Sequence, residues 1–432
     1  MRKLVIPFIA LFVMLLSSCE DRVSETITYT INEPVFMPTA TFRSSVKVSQ
    51  QVHEITGYGK ISYYNGYLYM SEPGKGIHII NNQDPANPQI IGYIELLGNA
   101  DLSIRNNLLY ADSYIDLVWF DVSNPAQPVL KGRLENVFPE AITIINNGFG
   151  IDYSMSYGDD KPDGVIVGWR EVVRTEPVDE YYGNGSFWRW GWMRGDVFAS
   201  SEKNFDSSFS GNSINGSMSR FSIYLDYLYV VINNQMAIFN LSTTDPTKVA
   251  ENIYIGWNVE TIFSYKDHMF MGTPTGMLVY SVEDPVNPVY KSSIIHAFGC
   301  DPVVVENDIA YVTVRSGNEC GQNTNELIVI DVSNTSKPKK LVSYTMTGPK
   351  GLGIDNKTLF VCDDGLKVYN ATNPLTIMGN ELAHYEGMDG FDVIPFNNVL
   401  MMIAEDGIYQ YDYSDIHDIK EISRLLINQA QE

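Results

Sequence analysis

The chain repeats itself every 41 residues. Tyr69, Tyr110, Ile151, Tyr229, Phe270, Tyr311, Phe360 and Met401 occupy equivalent positions, at spacings of 41, 41, 78, 41, 41, 49 and 41. Each unit holds four short runs of β-branched and aromatic residues; in the first these are "KISYYN", "LYMSE", "GIHIIN" and "PQIIGYIEL". Gly, Asn, Asp and Pro separate the runs, which is the signature of strands joined by tight turns. Four strands in about 40 residues make one propeller blade. The expected fold is therefore all-β, a β-propeller of four-stranded blades. Eight units, with insertions of 37 and 8 residues, account for residues 56–428. Eight blades are expected; the third unit, residues 147–177, is degenerate, which leaves seven open.

The runs "LIVIDVSN" at 327–334 and "LVWFDVSNPAQP" at 117–128 resemble the core pattern of the LVIVD-repeat family of bacterial β-propeller lipoproteins, of the Bacteroidetes type. "EPVFMPTATFRSSV", ahead of the repeats, is similar to members of the same group. The resemblance covers essentially all of the chain after residue 18. It implies the propeller fold and implies no reaction.

The first residues, MRKLVIPFIALFVMLLSSCE, supply an address. Arg2 and Lys3 precede an apolar run over residues 4–16, too short to span a bilayer but suited to a signal peptide. Leu16-Ser17-Ser18-Cys19 resembles a lipobox, so residues 1–18 are expected to be a lipoprotein signal peptide and Cys19 the lipidated residue. Glu20 and Asp21 resemble a stretch that directs lipoproteins to the outer surface of the outer membrane, with periplasm-facing anchoring as the alternative. Residues 19–43 read as a polar tether. Residues 44–432 read as one propeller domain with an insertion at about 183–219. Residues 44–52 are expected to add a strand that closes the ring against the last blade.

The formal charge of −23 disfavours nucleic acid as a partner, because like charges repel a phosphate backbone. No H-E-x-x-H, G-x-S-x-G or P-loop pattern occurs. His78, His268 and His384 fall on or beside strands, where packing is their expected role. Cys300 and Cys320 fall on one face of one blade, and a disulfide between them is expected. Cys362 is expected to be buried.

Two sets of loops in each blade converge on the mouth of the central channel, where propellers bind ligands. Candidate ligand-binding residues there are Asp101, Asp112, Tyr114, Asp116, Glu140, Asp301 and Asp389. So many carboxylates predict a strongly negative face that would suit Ca²⁺, or a cationic or polyhydroxylated ligand; no other cofactor is expected. Asp is also a turn residue, and turn capping is the competing reading. The insertion carries "GSFWRWGWMRG", in which Trp188, Trp190 and Trp192 would share one side of a strand. They form either a stacking platform or a plug that packs over the channel. The expected function is a non-enzymatic, lipid-anchored envelope propeller that binds a glycan, a peptide or an envelope protein through this face. The alternative is a polysaccharide-acting hydrolase or lyase that uses paired carboxylates such as Asp101 and Glu140.

Overall fold

The computed structural model describes residues 25–49, 53–138, 149–152, 164–178, 213–232, 234–256, 259–295, 302–315 and 324–427. The chain divides into two compact units. The larger contains seven antiparallel sheets, each with four strands in chain order, at residues 61–95, 102–134, 221–254, 261–295, 303–345, 352–385 and 390–426. We number these blades 1 to 7.

The innermost strands are Ile61–Tyr64, Leu102–Arg105, Phe221–Tyr224, Thr261–Tyr265, Val303–Glu306, Leu352–Asp355 and Gly390–Phe396. Each contacts the next, and the last contacts the first. The fold is a β-propeller, as the repeat implies. Blade 2 meets blade 3 directly, although the degenerate third unit lies between them in sequence. Among the described residues this unit adds no blade to the ring, so the expectation of eight gives way to seven.

The local causes recur from blade to blade. The turn between first and second strands places paired residues at positive φ, as at Asn106 (49°) and Asn107 (63°), Asn307 (51°) and Asp308 (63°), and Asn397 (49°) and Asn398 (63°). Asn tolerates that region, and two such residues give the turn whose twist matches a hairpin. The register slips between third and fourth strands in every blade, for example between Ile79 and Ile80 and between Val329 and Ile330. Such bulges increase the local twist. The repeat anchors Tyr69, Tyr110, Tyr229, Phe270, Tyr311, Phe360 and Met401 all lie buried on second strands. They recur, at 41 residues in four of the six intervals, because each blade must fill the same gap against its neighbour.

Blades 1 and 7 are each built from contiguous chain, so the ring closes through side chains. Asn82 and Gln410 exchange two amide hydrogen bonds, of 2.8 and 2.7 Å, and both groups are buried. Gln410 and Ser423 also donate to the carbonyl of Pro85. Ile61, Met70, Ile80, Ile394, Met401 and Ile403 form the apolar part of the seam. The added strand, Lys47–Ser49, pairs with the outer strand Gln89–Glu95 of blade 1 and not with the last blade.

The expected tether is ordered structure where it is described. Thr26–Met37 is a strand and Thr39–Ser44 a short helix whose Phe42 is fully buried. The smaller unit is based on this strand, which lies between Gly150–Ile151 and Val165–Pro177 in a three-stranded sheet. Within it Arg170 and Arg174 both bond Glu33, and Arg174 also pairs with Asp152. The third repeat unit thus lends its strands to the segment ahead of the ring.

Gln410→Ala leaves Asn82 buried with unmet amide groups. The expected loss is about 1–3 kcal/mol, visible as a fall of several degrees in melting temperature, larger than that of Ser423→Ala. Equal melting temperatures for Gln410→Ala and the wild type would contradict this account of closure.

Candidate functional site at the mouth of the central channel

The channel is occupied by the chain itself. Residues 213–219, "SINGSMS", run along its axis and are buried throughout. Ile214 and Asn215 pair antiparallel with Tyr63 and Ser62 of blade 1. The amide of Gly216 donates to Ile61 O at 2.8 Å, and that of Ser213 to Ile104 O of blade 2. Asn215 Nδ2 donates to Leu102 O and Phe221 O, while Leu352 N of blade 6 donates to Ser217 Oγ. The Ser, Gly and Asn side chains fit because the space is narrow. A Cβ on Gly216 would stand 2.2 Å from Asp392 Oδ2, and one on Gly351 would stand 2.6 Å from Asp392 Oδ1.

These seven residues end the insertion expected at 183–219. Their antiparallel pairing with Ile61–Tyr64 means that the segment arrives from the end opposite the acidic loops. It reaches the acidic-loop face only at Ser219. The final part of the insertion therefore fills the channel rather than lying over its mouth. Trp188, Trp190, Trp192, Glu140, Asp301, Cys300, Cys320 and Cys19 lie outside the described residues.

The described carboxylates are engaged inside the fold. Asp101 accepts the amides of Leu102 (2.7 Å), Phe221 (3.2 Å) and Arg220, the hydroxyl of Ser219 (2.9 Å) and the ammonium of Lys60 (3.2 Å). Asp112 accepts Ala100 N (2.7 Å), Asp101 N and Asn99 Nδ2 (both 3.0 Å), and burial raises its pKa. Asp116 is fully buried beneath the Arg43 guanidinium (2.8 and 3.0 Å), Arg133 (2.9 Å) and the amide of Asn136 (2.8 Å). Tyr114 is a buried turn residue at φ 51°, edge-on to Phe42 at 5.9 Å. Asp389 is exposed and bonded to Lys350. Asp101, Asp112 and Asp116 thus staple loops, whereas Asp389 stays exposed.

Asp101 and Asp112 share one cluster with Lys60 and Arg220, whose Nη2 is 4.0 Å from Asp112. Asp116 and Tyr114 belong to another, under the short helix, and Asp389 to a third. Lys60, Arg220 and Lys350 are the residues that sequence reasoning passed over. Lys60 and Arg220 immediately precede an innermost strand and Lys350 stands two residues ahead of one, and that position was their signal. His78 behaves as expected of a packing histidine, bonded to Glu72 at 2.8 Å and tilted against Tyr93. Cys362 is buried, as expected.

Around the mouth a smaller set of groups still meets water. Tyr58 packs edge-on against Phe391 at 5.2 Å, and both rings are partly exposed. Burial, then the charges of Glu405 and Asp389, raise the Tyr58 phenol above its ordinary range, with Arg315 acting in the opposite sense. Arg315, Asp389 and Glu405 are exposed. On blade 6, Asp364, His384 and Glu386 bring ligand atoms within 4.8 Å of one another. There His384 Nε2 already contacts the Asp364 carbonyl, and both carboxylates face solvent.

Two segments, residues 98–136 and 302–346, match the LVIVD repeat family. They correspond to blade 2 with the loop before it, and to blade 5. No curated protein matches the chain. Similar solved structures include a protein of unknown function from Desulfotomaculum acetoxidans, with 10% identity over 85% of this chain and 100% of that one and a TM-score of 0.49. The computationally designed Ika8 protein is 9% identical over 87% of this chain and 90% of its own, with a TM-score of 0.46. Hsv2 of Kluyveromyces lactis is 12% identical over 84% and 96%, with a TM-score of 0.44. These likenesses leave the fold assignment to rest on the repeats and on the seven sheets.

Asp116 separates a structural carboxylate from a ligand-binding one. Asp116→Ala strips Arg43 and Arg133 of their shared partner and should cost about 3 kcal/mol in urea denaturation. A ligand carboxylate held among other acids would instead leave stability unchanged or raised when removed.

Proposed function

For this propeller, two segments of which match the LVIVD repeat, we propose a non-catalytic binding or scaffold role in the bacterial envelope. The protein is held to the bilayer by lipid on Cys19, at the outer membrane and facing outward. It engages a glycan, a peptide or an envelope protein through the loops around the channel mouth. The lipobox-like Leu16-Ser17-Ser18-Cys19 and the acids that follow support the address. Among the described residues no helix is long and apolar enough to cross a membrane.

The observation that carries the reading is the engagement of Asp101. General acid–base catalysis needs a carboxyl group within reach of the substrate proton. Asp101 is 1% exposed, and its two oxygens already accept from the backbone, Ser219 and Lys60. A hydrolase or lyase built on Asp101 with Glu140 would have to break the anchor of the channel segment. The groups that do meet water, Tyr58 beside Phe391 with Arg315, Asp389 and Glu405, suit recognition: an aromatic face for stacking and both signs of charge for hydrogen bonding.

The test pairs binding with turnover. The chain from residue 20 is titrated with neutral, acidic and amino-sugar oligosaccharides by calorimetry, and the same mixtures are assayed for new reducing ends. Saturable binding without product is expected, weakened at least tenfold by Tyr58→Ala. Product formation abolished by Asp101→Asn would establish the enzyme instead. No binding to any glycan would move the search to co-purifying envelope proteins.

A further inference from the structure

We propose that residues 213–219 are a proton-locked strap, anchored at Asp101, latched at Asp392, and released from the channel as pH rises while the ring stays closed. This goes beyond the binding role above and does not depend on it.

The two ends of the strap are held differently. At its C-terminal end, Asp101 accepts Ser219 Oγ and the amides of Arg220 and Phe221. Asp101 also bonds Lys60, so this anchor is charge-compensated. In the middle, Asp392 Oδ1 accepts Ser217 N at 2.8 Å and Val393 N at 2.9 Å. Asp392 is fully buried and its Oδ2 has no hydrogen-bond partner among the described residues. Gly216 and Gly351 lie close against the two oxygens, where a Cβ would stand 2.2 Å from Oδ2 and 2.6 Å from Oδ1.

Among the described residues no cation stands against Asp392. The strap, the strand starting at Ile61, the segment at Gly351 and its own strand pack around it. The charged groups those elements carry at this end of the channel are Arg220, Lys60, Lys350 and Asp389. Lys60 bonds Asp101, Lys350 bonds Asp389, and Arg220 lies 4.0 Å from Asp112. Burial accordingly pushes the Asp392 carboxyl up to about 7, against the pull of hydrogen bonds from the side chain and amide of Ser217 and the amides of Val393 and Met218. Once the strap leaves and water enters, the carboxyl returns to its ordinary range near 4. Departure of the strap therefore releases a proton between about pH 4 and pH 7. The contribution of Asp392 to the locked state is full below that window and is lost as pH rises through it.

The ties of the strap run to blades 1, 2, 3, 6 and 7. Two of its residues pair with blade 1 and Ile214 joins the apolar seam, while the Asn82–Gln410 exchange joins blades 7 and 1 without it. Opening of the strap is thus separable from opening of the blades.

Amide hydrogen exchange on the full chain reads this directly. Protection factors of Gly216 and Ser217, corrected for intrinsic exchange, should fall on the order of 50-fold between pH 5 and pH 7. Those of Val312 and Val329, inside blade 5, should hold constant. In Asp392→Asn the fall at Gly216 and Ser217 should disappear. An equal fall in wild type and variant, or constant strap protection across this range, would overturn the proposal. So would a strap that opens only together with blade 5. Should Asp392→Asn not fold, the wild-type contrast between strap and blade amides decides alone.

Discussion

Seven innermost strands turn one backbone edge each toward a common axis. Their N–H and C=O groups need partners there, because an unmet buried backbone group costs as much as a lost hydrogen bond. A sheet with a covered outer face can leave its edge to water. A narrow channel cannot always do so, and here residues 213–219 take that place. The segment bonds to blades 1, 2, 3, 6 and 7, so it is a common element of an otherwise pairwise ring. Its small residues follow from that position, since anything larger at 216 would meet Asp392.

The same constraint accounts for the acidic loops. A carboxylate gives up to four acceptor sites and suits a turn where several amides converge. Asp101 gathers the end of the channel segment, Asp112 gathers the loop ahead of blade 2, and Asp363 gathers Thr347 and Gly348 with Lys367. Wherever such an acid is buried with a cation, as Asp116 is with Arg43 and Arg133, its charge is balanced. Asp392 departs from that pattern, and it sits against the channel segment.

The fold was legible because inter-blade packing repeats. A large buried side chain fills the same place in each second strand, Tyr or Phe in six blades and Met401 in the seventh, so Tyr69 and Tyr110, and again Tyr229, Phe270 and Tyr311, stand 41 residues apart. The blade count was less so. Residues 147–177 read as a degenerate unit, but nothing in their composition says that the strand Val165–Pro177 pairs with Thr26–Met37 rather than with a blade neighbour. The strap showed in the sequence only as the end of an insertion at about 183–219, because its burial comes from strands far away along the chain. The partners of the buried carboxylates Asp101, Asp112 and Asp116 were not legible for a related reason. Spacing along the chain shows where Asp116 is, but not that Arg43 reaches it across 73 residues.

The central claim is that the channel is filled by the chain itself. A cysteine at Ser217, nearly isosteric with serine, tests it with little disturbance. Labelling by a small thiol reagent at pH 6, followed by peptide-resolved mass spectrometry, should show residue 217 unreactive in the folded protein and fully reactive in denaturant. Rapid labelling of residue 217 in the native protein, with Cys362 still protected, would mean an open channel and would contradict the account.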